Sequence, residues 1–585
     1  MIDSKHINKM VAGFVIFAIL ACAWIVYAAN AYELSYVLEY QKRLFNGEIA
    51  AIDINVDEDE WQNLLDNAGA KPWVSADIAI NGEKFESVGI RTKGNSSLSS
   101  AVRSEGDRYS LQFSMNKNIK GQTYYGLDTF CVNNLINDAT YMKDYISYDI
   151  MKFIGVDSPL ANHAKITVNG EDYGFCLLLE RYDKGFLDRV YDTSAGNLYN
   201  VKIQMGQRDN FMNFGQAVES EQDNQPRERP DRNADRANNR NDRDNWGDRG
   251  NMPGGRGGGF GGSNGGSLVY ADDELASYSS IFDNAVFGRT NEDDMQRVVT
   301  AIKNLNDGTE LERYWDVDGA LRYFAAHTFV VNLDSYVSNM QQNYALYEKD
   351  GKVTIFPWDY DLAFGGFQSG SASSVINFPI DTPVSGVNMG DRPLLNVLLE
   401  IPEYKEKYHD YLRRIVDGYV NSGLLEQTIR ELDAKINEYV KNDATSYYTY
   451  EKYESAIETL IELCLLRAKS VAGQLDGTIP STTDGQREDS SALVDATGIN
   501  LSDLGGAMMG GGMGNFGGNR EMPNMPDGFE WDPDNMPENF QDRFSGQFPD
   551  GIPDNNRDRG RPPDMPNTNN PNNFGEPPVE KTPPI

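Results

Sequence analysis

Residues 330–366 read VVNLDSYVSNMQQNYALYEKDGKVTIFPWDYDLAFGG. Asp334 comes first, followed by Asn339 and Asn343. A strand–turn–strand pattern comes next, turning at Lys349-Asp350-Gly351. The second strand, Val353–Trp358, delivers Asp359 and Asp361 at its end. A carboxylate, an amide and a second carboxylate on neighbouring strand ends suit phosphoryl transfer. One Asp orients a hydroxyl nucleophile, and the Asn and second Asp hold Mg²⁺ against a nucleotide triphosphate. The same residues also read as a β-hairpin in which Asp and Asn are turn formers.

The order invites a comparison. Protein kinases place an Asn five residues after the catalytic Asp and a metal-binding Asp-Phe-Gly further on. Here Asn339 follows Asp334 by five, and Asp359-Tyr360-Asp361-Leu362-Ala363-Phe364-Gly365 stands where Asp-Phe-Gly would be. The runs Asn343-Tyr344-Ala345-Leu346-Tyr347 and Pro357-Trp358-Asp359-Tyr360-Asp361-Leu362-Ala363-Phe364-Gly365-Gly366 closely resemble the spore coat protein CotH family of secretory-pathway-type atypical kinases. Four further runs match in order: Gly89–Ser97, Val168–Gly174, Glu180–Asp183 and Phe378–Gly386. The resemblance covers residues 45–475, less one inserted linker.

That resemblance implies an α+β, two-lobed, atypical protein-kinase-like fold with a helical C-terminal part. It gives Asp334 the orienting or deprotonating role and makes Asp359 and Asp361 ligands of Mg²⁺ or Mn²⁺. Asn343, inside the matching motif, is preferred over Asn339 as the amide ligand. A Ca²⁺ site on Asp359 and Asp361 competes, although the loop lacks the further acids of an EF-hand. Arg91, Lys93, Gly94 and Ser96 end a strand in a loop that can cover nucleotide phosphates with backbone N–H groups. With one glycine and no GxGxxG, a basic surface turn is the alternative. Glu180 resembles the acidic position that fixes the phosphate-binding cation. Relatives tend to show a Lys near the strand opening at Arg108-Tyr109-Ser110-Leu111, and this chain has Arg108. Arginine binds phosphate bidentately without being equivalent to lysine, and Lys93 or Lys202 can serve instead.

Composition narrows the alternatives. A net charge of −35 over 585 residues argues against nucleic acid as a partner, which needs a basic face. Cys22, Cys131, Cys176 and Cys464 form no CxxC or Cys/His cluster, so zinc is not expected. Cys131 and Cys176 lie in expected strands, either paired outside the cell or as buried thiols. The histidines, His6, His163, His327 and His409, sit in no nucleophile motif.

Met10–Ala29 is a charge-free run of 20 residues, the length of one membrane-spanning helix. Lys5 and Lys9 precede it, which leaves residues 1–9 in the cytoplasm and the rest outside. A cleaved signal peptide ending near Val26-Tyr27-Ala28 is the alternative, and a lipidated Cys22 a lesser one. Residues 45–203 mix strands with helices. Asn81-Gly82 and Asn169-Gly170 mark hairpins, and helices are expected over Asp57–Asn67 and Asp138–Ile154. Residues 204–266, rich in Asp, Arg, Asn and Gly, read as a disordered insert. Structure resumes over 267–477, with helices at Met295–Leu305, Leu311–Asn332, Arg392–Glu400, Glu403–Ser422, Leu424–Lys441 and Tyr450–Leu475. Residues 478–585 read as a disordered tail. Its Met508, Met509 and Met513 suggest a spacer, or a thioether copper site.

The sequence thus describes a membrane-anchored, extracytoplasmic kinase-like enzyme. It would use ATP with Mg²⁺ or Mn²⁺ on Ser or Thr of a surface or secreted protein. A non-catalytic pseudokinase or coat scaffold is the second reading. A divalent-cation-binding envelope protein is the third.

Overall fold

Strand β1 (Ala50–Val56) buries every second residue, Ala50, Ile52, Ile54 and Val56, and turns Asp53 and Asn55 outward. The same alternation governs β2 (Val74–Ile80). With β3 (Glu83–Thr92), β4 (Leu111–Ser114), β5 (Thr129–Asn133), β6 (Ala161–Val168) and β7 (Glu171–Glu180) these strands close into a barrel of order β1-β2-β3-β4-β5-β7-β6. All pairs are antiparallel except the closing one, where β1 runs parallel to β6 with Ile52 opposite Ile166. The interior is filled by Ile52, Ile78, Phe113, Phe130, Val132 and Leu178, and Phe113 and Phe130 stack at 4.6 Å.

This computed structural model describes residues 38–94, 96–104, 106–202 and 265–506. The expected membrane segment at 10–29, nearly all of the insert, the tail beyond 506 with its methionines, and Cys22 lie outside the described residues. Among the described residues no helix is long and apolar enough to cross a membrane.

A second sheet of three strands, β8 (Asn197–Val201), β9 (Tyr344–Lys349) and β10 (Lys352–Pro357), runs in the order β10-β9-β8. Its hairpin turns as expected: Asp350 (φ 53°) and Gly351 (φ 84°) both take the left-handed conformation of a type I′ turn. Chain segments cover both edges. Val286 donates to Leu198 O of β8 at 2.8 Å, and Asp316 donates to Val353 O of β10 at 2.9 Å. Helices Glu292–Asp307, Val317–Val330, Pro393–Glu400, Pro402–Arg413, Leu424–Lys441 and Tyr450–Asp476 pack with this sheet around a larger core, including Leu321, Phe324, Leu395, Leu412 and Ile461. Helix Lys143–Phe153 contributes Ile146 and Ile150 to it.

Three helix boundaries differ from expectation. The span 311–332 breaks at Trp315, because Asp316 accepts from Gly319 N at 3.2 Å and caps a new helix. The helix expected from Asp138 begins at Lys143, since Asp138 binds Thr140 and Lys143 N–H from a preceding turn. The span 403–422 becomes helix Pro402–Arg413 followed by a π-helical stretch, Arg414–Val420. The chain also stays folded past 478. Helix Thr483–Glu488 follows, Leu504 is buried, and Val494 N donates to Asn377 Oδ1 at 2.9 Å.

The α+β class therefore holds. The finer expectation of a two-lobed, kinase-like arrangement is not carried by the strand order, because the first seven strands close on themselves. Cys131 and Cys176 are free thiols. On paired strands Cys131 lies opposite Leu179, three residues from Cys176, so the two side chains fall on opposite faces of the wall. Cys131 packs in the helical core and Cys176 in the barrel.

Candidate active site

Helix Val317–Val330 ends where Val331 adopts φ 50°, and the turn that follows presents Asp334. Asp334 is 6% exposed. Gln342 donates to Asp334 Oδ1 at 2.7 Å. Asn343 donates to Oδ2 at 3.0 Å and to the Asp334 carbonyl at 2.8 Å. Burial, with the nearby Asp359 charge, pushes Asp334 up to about 6 against the pull of those two amides.

The apolar strand β10 delivers Trp358 and Asp359. Asp359 takes a left-handed backbone (φ 62°), and the structure pins it on both sides. Its N–H donates to the Tyr148 hydroxyl at 3.1 Å, and its carbonyl accepts from Asn332 Nδ2 at 3.1 Å. The next N–H, of Tyr360, donates to Asp144 Oδ1 at 2.6 Å. Asp361 Oδ2 accepts from Asn137 Nδ2 at 2.9 Å. Burial raises Asp144 to about 7 and Asp361 well above the usual carboxylate range, and in both the Asp359 charge adds to it.

Cations face these acids. Lys93 Nζ donates to Asn133 Oδ1, and Asn133 Nδ2 donates to Asp144 Oδ2 at 3.2 Å. Burial alone would lower the Lys93 ammonium, but Cys131, Asp359 and Asp144 hold it above its ordinary value. The Lys93 ammonium and the Arg181 guanidinium lie 6.0 and 5.7 Å from the Trp358 ring. Arg91 is held by Gln112 Oε1 at 2.9 Å and stacks on Trp73 at 4.5 Å. Lys202 is pushed down to about 8 by desolvation and by Arg181, Lys71, Arg91 and Lys93 around it. Gly94, at φ 94°, turns the chain from β3 towards the next helix.

Of the sequence-derived candidates, the structure gathers Asp334, Asn343, Asp359, Asp361, Arg91, Lys93 and Gly94 in or beside this cluster of opposed charges. It places Arg108 and Glu180 elsewhere. Arg108 is buried against Asp443 at 2.6 Å and donates to the Phe175 carbonyl, so its guanidinium joins the barrel to the loop after helix Leu424–Lys441. Glu180 accepts from Arg189 at 2.7 Å, Tyr40 at 2.5 Å and Leu160 N at 3.1 Å, which uses both of its oxygens. Asn343 braces Asp334, and Asn339 is exposed.

The sequence reading missed Asp144, Asn133, Asn137, Gln342 and Arg181. One signal was available. Asn133-Asn134 and Asn137-Asp138 crowd polar groups onto the end of a buried strand, and Lys143-Asp144 opens an otherwise apolar helix face.

Among the described residues no three His, Cys or carboxylate side chains form a ready-made metal cage. Mg²⁺ does not need one, since it takes one or two carboxylates and completes its shell with water and phosphate. The donor chemistry suits such an ion: the Asp359 charge raises both Asp144 and Asp361, and a cation held there would relieve that repulsion.

Fold and site together define an α+β protein with a carboxylate cluster opposed to a cationic one. A family model described as CotH kinase protein matches residues 90–471, about two thirds of the chain. The chain belongs to the CotH family. It is also similar to the inner spore coat protein H of Bacillus subtilis (strain 168), 20% identical over 361 residues, which spans 60% of this chain and 80% of that protein.

Proposed function

We propose that the chain transfers the γ-phosphoryl group of ATP to a Ser or Thr hydroxyl of a surface or secreted protein, with Mg²⁺ or Mn²⁺ as the resident cation. The observation that carries this reading is the link Lys93–Asn133–Asp144–Tyr360, which ties the cationic cluster to the segment bearing Asp359 and Asp361. Asp334, braced by Gln342 and Asn343, orients the acceptor hydroxyl and takes its proton as the oxygen attacks. Asp359 and Asp361, with Asp144 behind them, would hold the cation, which neutralises charge on the phosphates. Lys93, Arg91 and Arg181 would receive the phosphate oxygens. Positioning and charge compensation account for the rate. The apolar run at 10–29 would anchor the chain in the cell membrane with the main domain outside, and no nucleic acid is involved.

The test is phosphoryl transfer from γ-labelled ATP by the full-length chain with Mn²⁺ or Mg²⁺, beside Asp334→Ala and Asp359→Ala. Label on the wild type that both variants lose supports the reading. Absence of label and of nucleotide binding refutes it.

A second reading, a nucleotide-binding pseudokinase or coat scaffold, is favoured by Arg108. Asp443 occupies its guanidinium, which keeps this expected phosphate-binding cation from a nucleotide. ATP binding that needs metal and Asp359 but transfers no label would mark this case.

A further inference from the structure

We propose that His327 is the positioning residue that fixes the Asp334 turn against the segment carrying Asp359 and Asp361; this rests on the phosphoryl-transfer reading above. His327 lies on helix Val317–Val330 and is 1% exposed. Its two ring nitrogens reach two different parts of the site. Nδ1 is 2.7 Å from the Tyr360 hydroxyl, between Asp359 and Asp361, and Nε2 is 3.0 Å from Ser335 Oγ, next to Asp334.

The proton positions follow from the partners. Ser335 donates its hydroxyl proton to Asn332 O at 2.7 Å. Its oxygen must then accept from His327, so Nε2 carries the ring proton and Nδ1 accepts from Tyr360. One tautomer satisfies the whole chain, from Tyr360 through His327 and Ser335 to Asn332. Asn332 also donates its side-chain amide to the Asp359 carbonyl at 3.1 Å, which closes a second bridge between the same two segments. The ring is clamped by Tyr323, stacked at 5.4 Å, and by the edge of Tyr360 at 5.7 Å.

Among the described residues, no other side chain is hydrogen-bonded to both the Tyr360 and the Ser335 hydroxyl. Asparagine can reproduce the Nδ1 position and glutamine the Nε2 position, but neither reproduces both. Burial lowers His327 to about 3, so the ring stays neutral and moves no proton in the working range. Its contribution is distance and angle between the base and the metal-binding carboxylates.

The experiment combines histidine ¹⁵N NMR with steady-state kinetics on the full-length chain, whose four histidines give a sparse spectrum. His327 should show the Nε2–H tautomer, unchanged from about pH 5 to 9. Tyr360→Phe and Ser335→Ala remove single oxygens. Each should shift the His327 resonances and lower kcat about tenfold while leaving KM for ATP within about twofold. His327→Asn and His327→Gln should each restore part of the kcat lost in His327→Ala. Either of two results overturns the proposal while the wild type remains active: an Nδ1–H tautomer, or kcat unmoved in Tyr360→Phe and Ser335→Ala. A wild type that neither binds nor turns over ATP removes the phosphoryl-transfer reading, and this inference with it.

Discussion

Asn343 grips Asp334 twice, donating one amide nitrogen to its carboxylate at 3.0 Å and to its carbonyl at 2.8 Å. An amide expected to face a metal is turned to the proposed base, which it orients and whose ionised form it favours against burial.

That grip governs the acid limb of activity. Asp334 must be ionised to accept a proton, so transfer should rise as pH passes through about 6. Gln342 and Asn343 favour the ionised form. Gln342→Ala or Asn343→Ala should therefore move the limb to higher pH by roughly half a unit or more. Autophosphorylation rates between pH 5 and 9 check this, and an unmoved limb would exclude Asp334 as the titrating group.

Charge crowding at the carboxylate cluster should show in stability. Asp144 is raised to about 7, so the folded state holds its proton more tightly than the unfolded chain does. Stability from this group is fully present below the unfolded value near 3.8 and is lost as pH rises to about 7. Asp144→Asn removes that loss. Its amide keeps one of the two hydrogen bonds that Asp144 accepts, so the expected signal is the pH dependence: the variant should gain on the wild type by on the order of 1 kcal/mol between pH 5 and pH 8. Thermal melts at the two pH values measure it.

Arg108 should matter to folding and not to nucleotide. Arg108→Ala strands Asp443 in the interior, a change that typically costs about 3–5 kcal/mol. The urea midpoint should fall, while Mn²⁺–ATP affinity of the folded protein stays within about twofold. Lost affinity at an unchanged midpoint would instead place Arg108 on the phosphates.

Lys93 and Glu180 should behave oppositely. Lys93→Ala removes a cation facing Asp359 and Asp144 and should weaken Mn²⁺–ATP binding about tenfold. Glu180→Gln breaks its ion pair with Arg189 and should lower the melting temperature without that loss. Calorimetric titration beside thermal melts separates the two.

What the sequence disclosed depended on how local the signal was. The Asp350-Gly351 hairpin and the Asp57-capped helix Glu58–Asp66 were legible because turn and cap chemistry lies within a few residues. Asp334 and Asp359 were singled out through motif resemblance, and the structure brings their charges within reach of one another. Barrel closure was not, since the parallel β1–β6 pairing joins Ile52 to Ile166 across more than a hundred residues without a local mark. Asp144 was hidden for the same reason: its partner, the Tyr360 N–H, lies 216 residues away. Arg108 misled because a charge at the start of a strand looks alike whether it meets a phosphate or Asp443.

Closure has one more consequence. Among the described residues the seven barrel strands leave no unpaired backbone rim, and the three-stranded sheet is bonded along β8 by the segment before Val286 and at one point of β10 by Asp316. Exposed strand rims are the usual template on which neighbouring chains zip together. Among the described residues, that route to chain-to-chain pairing is closed at the barrel and narrowed at the second sheet.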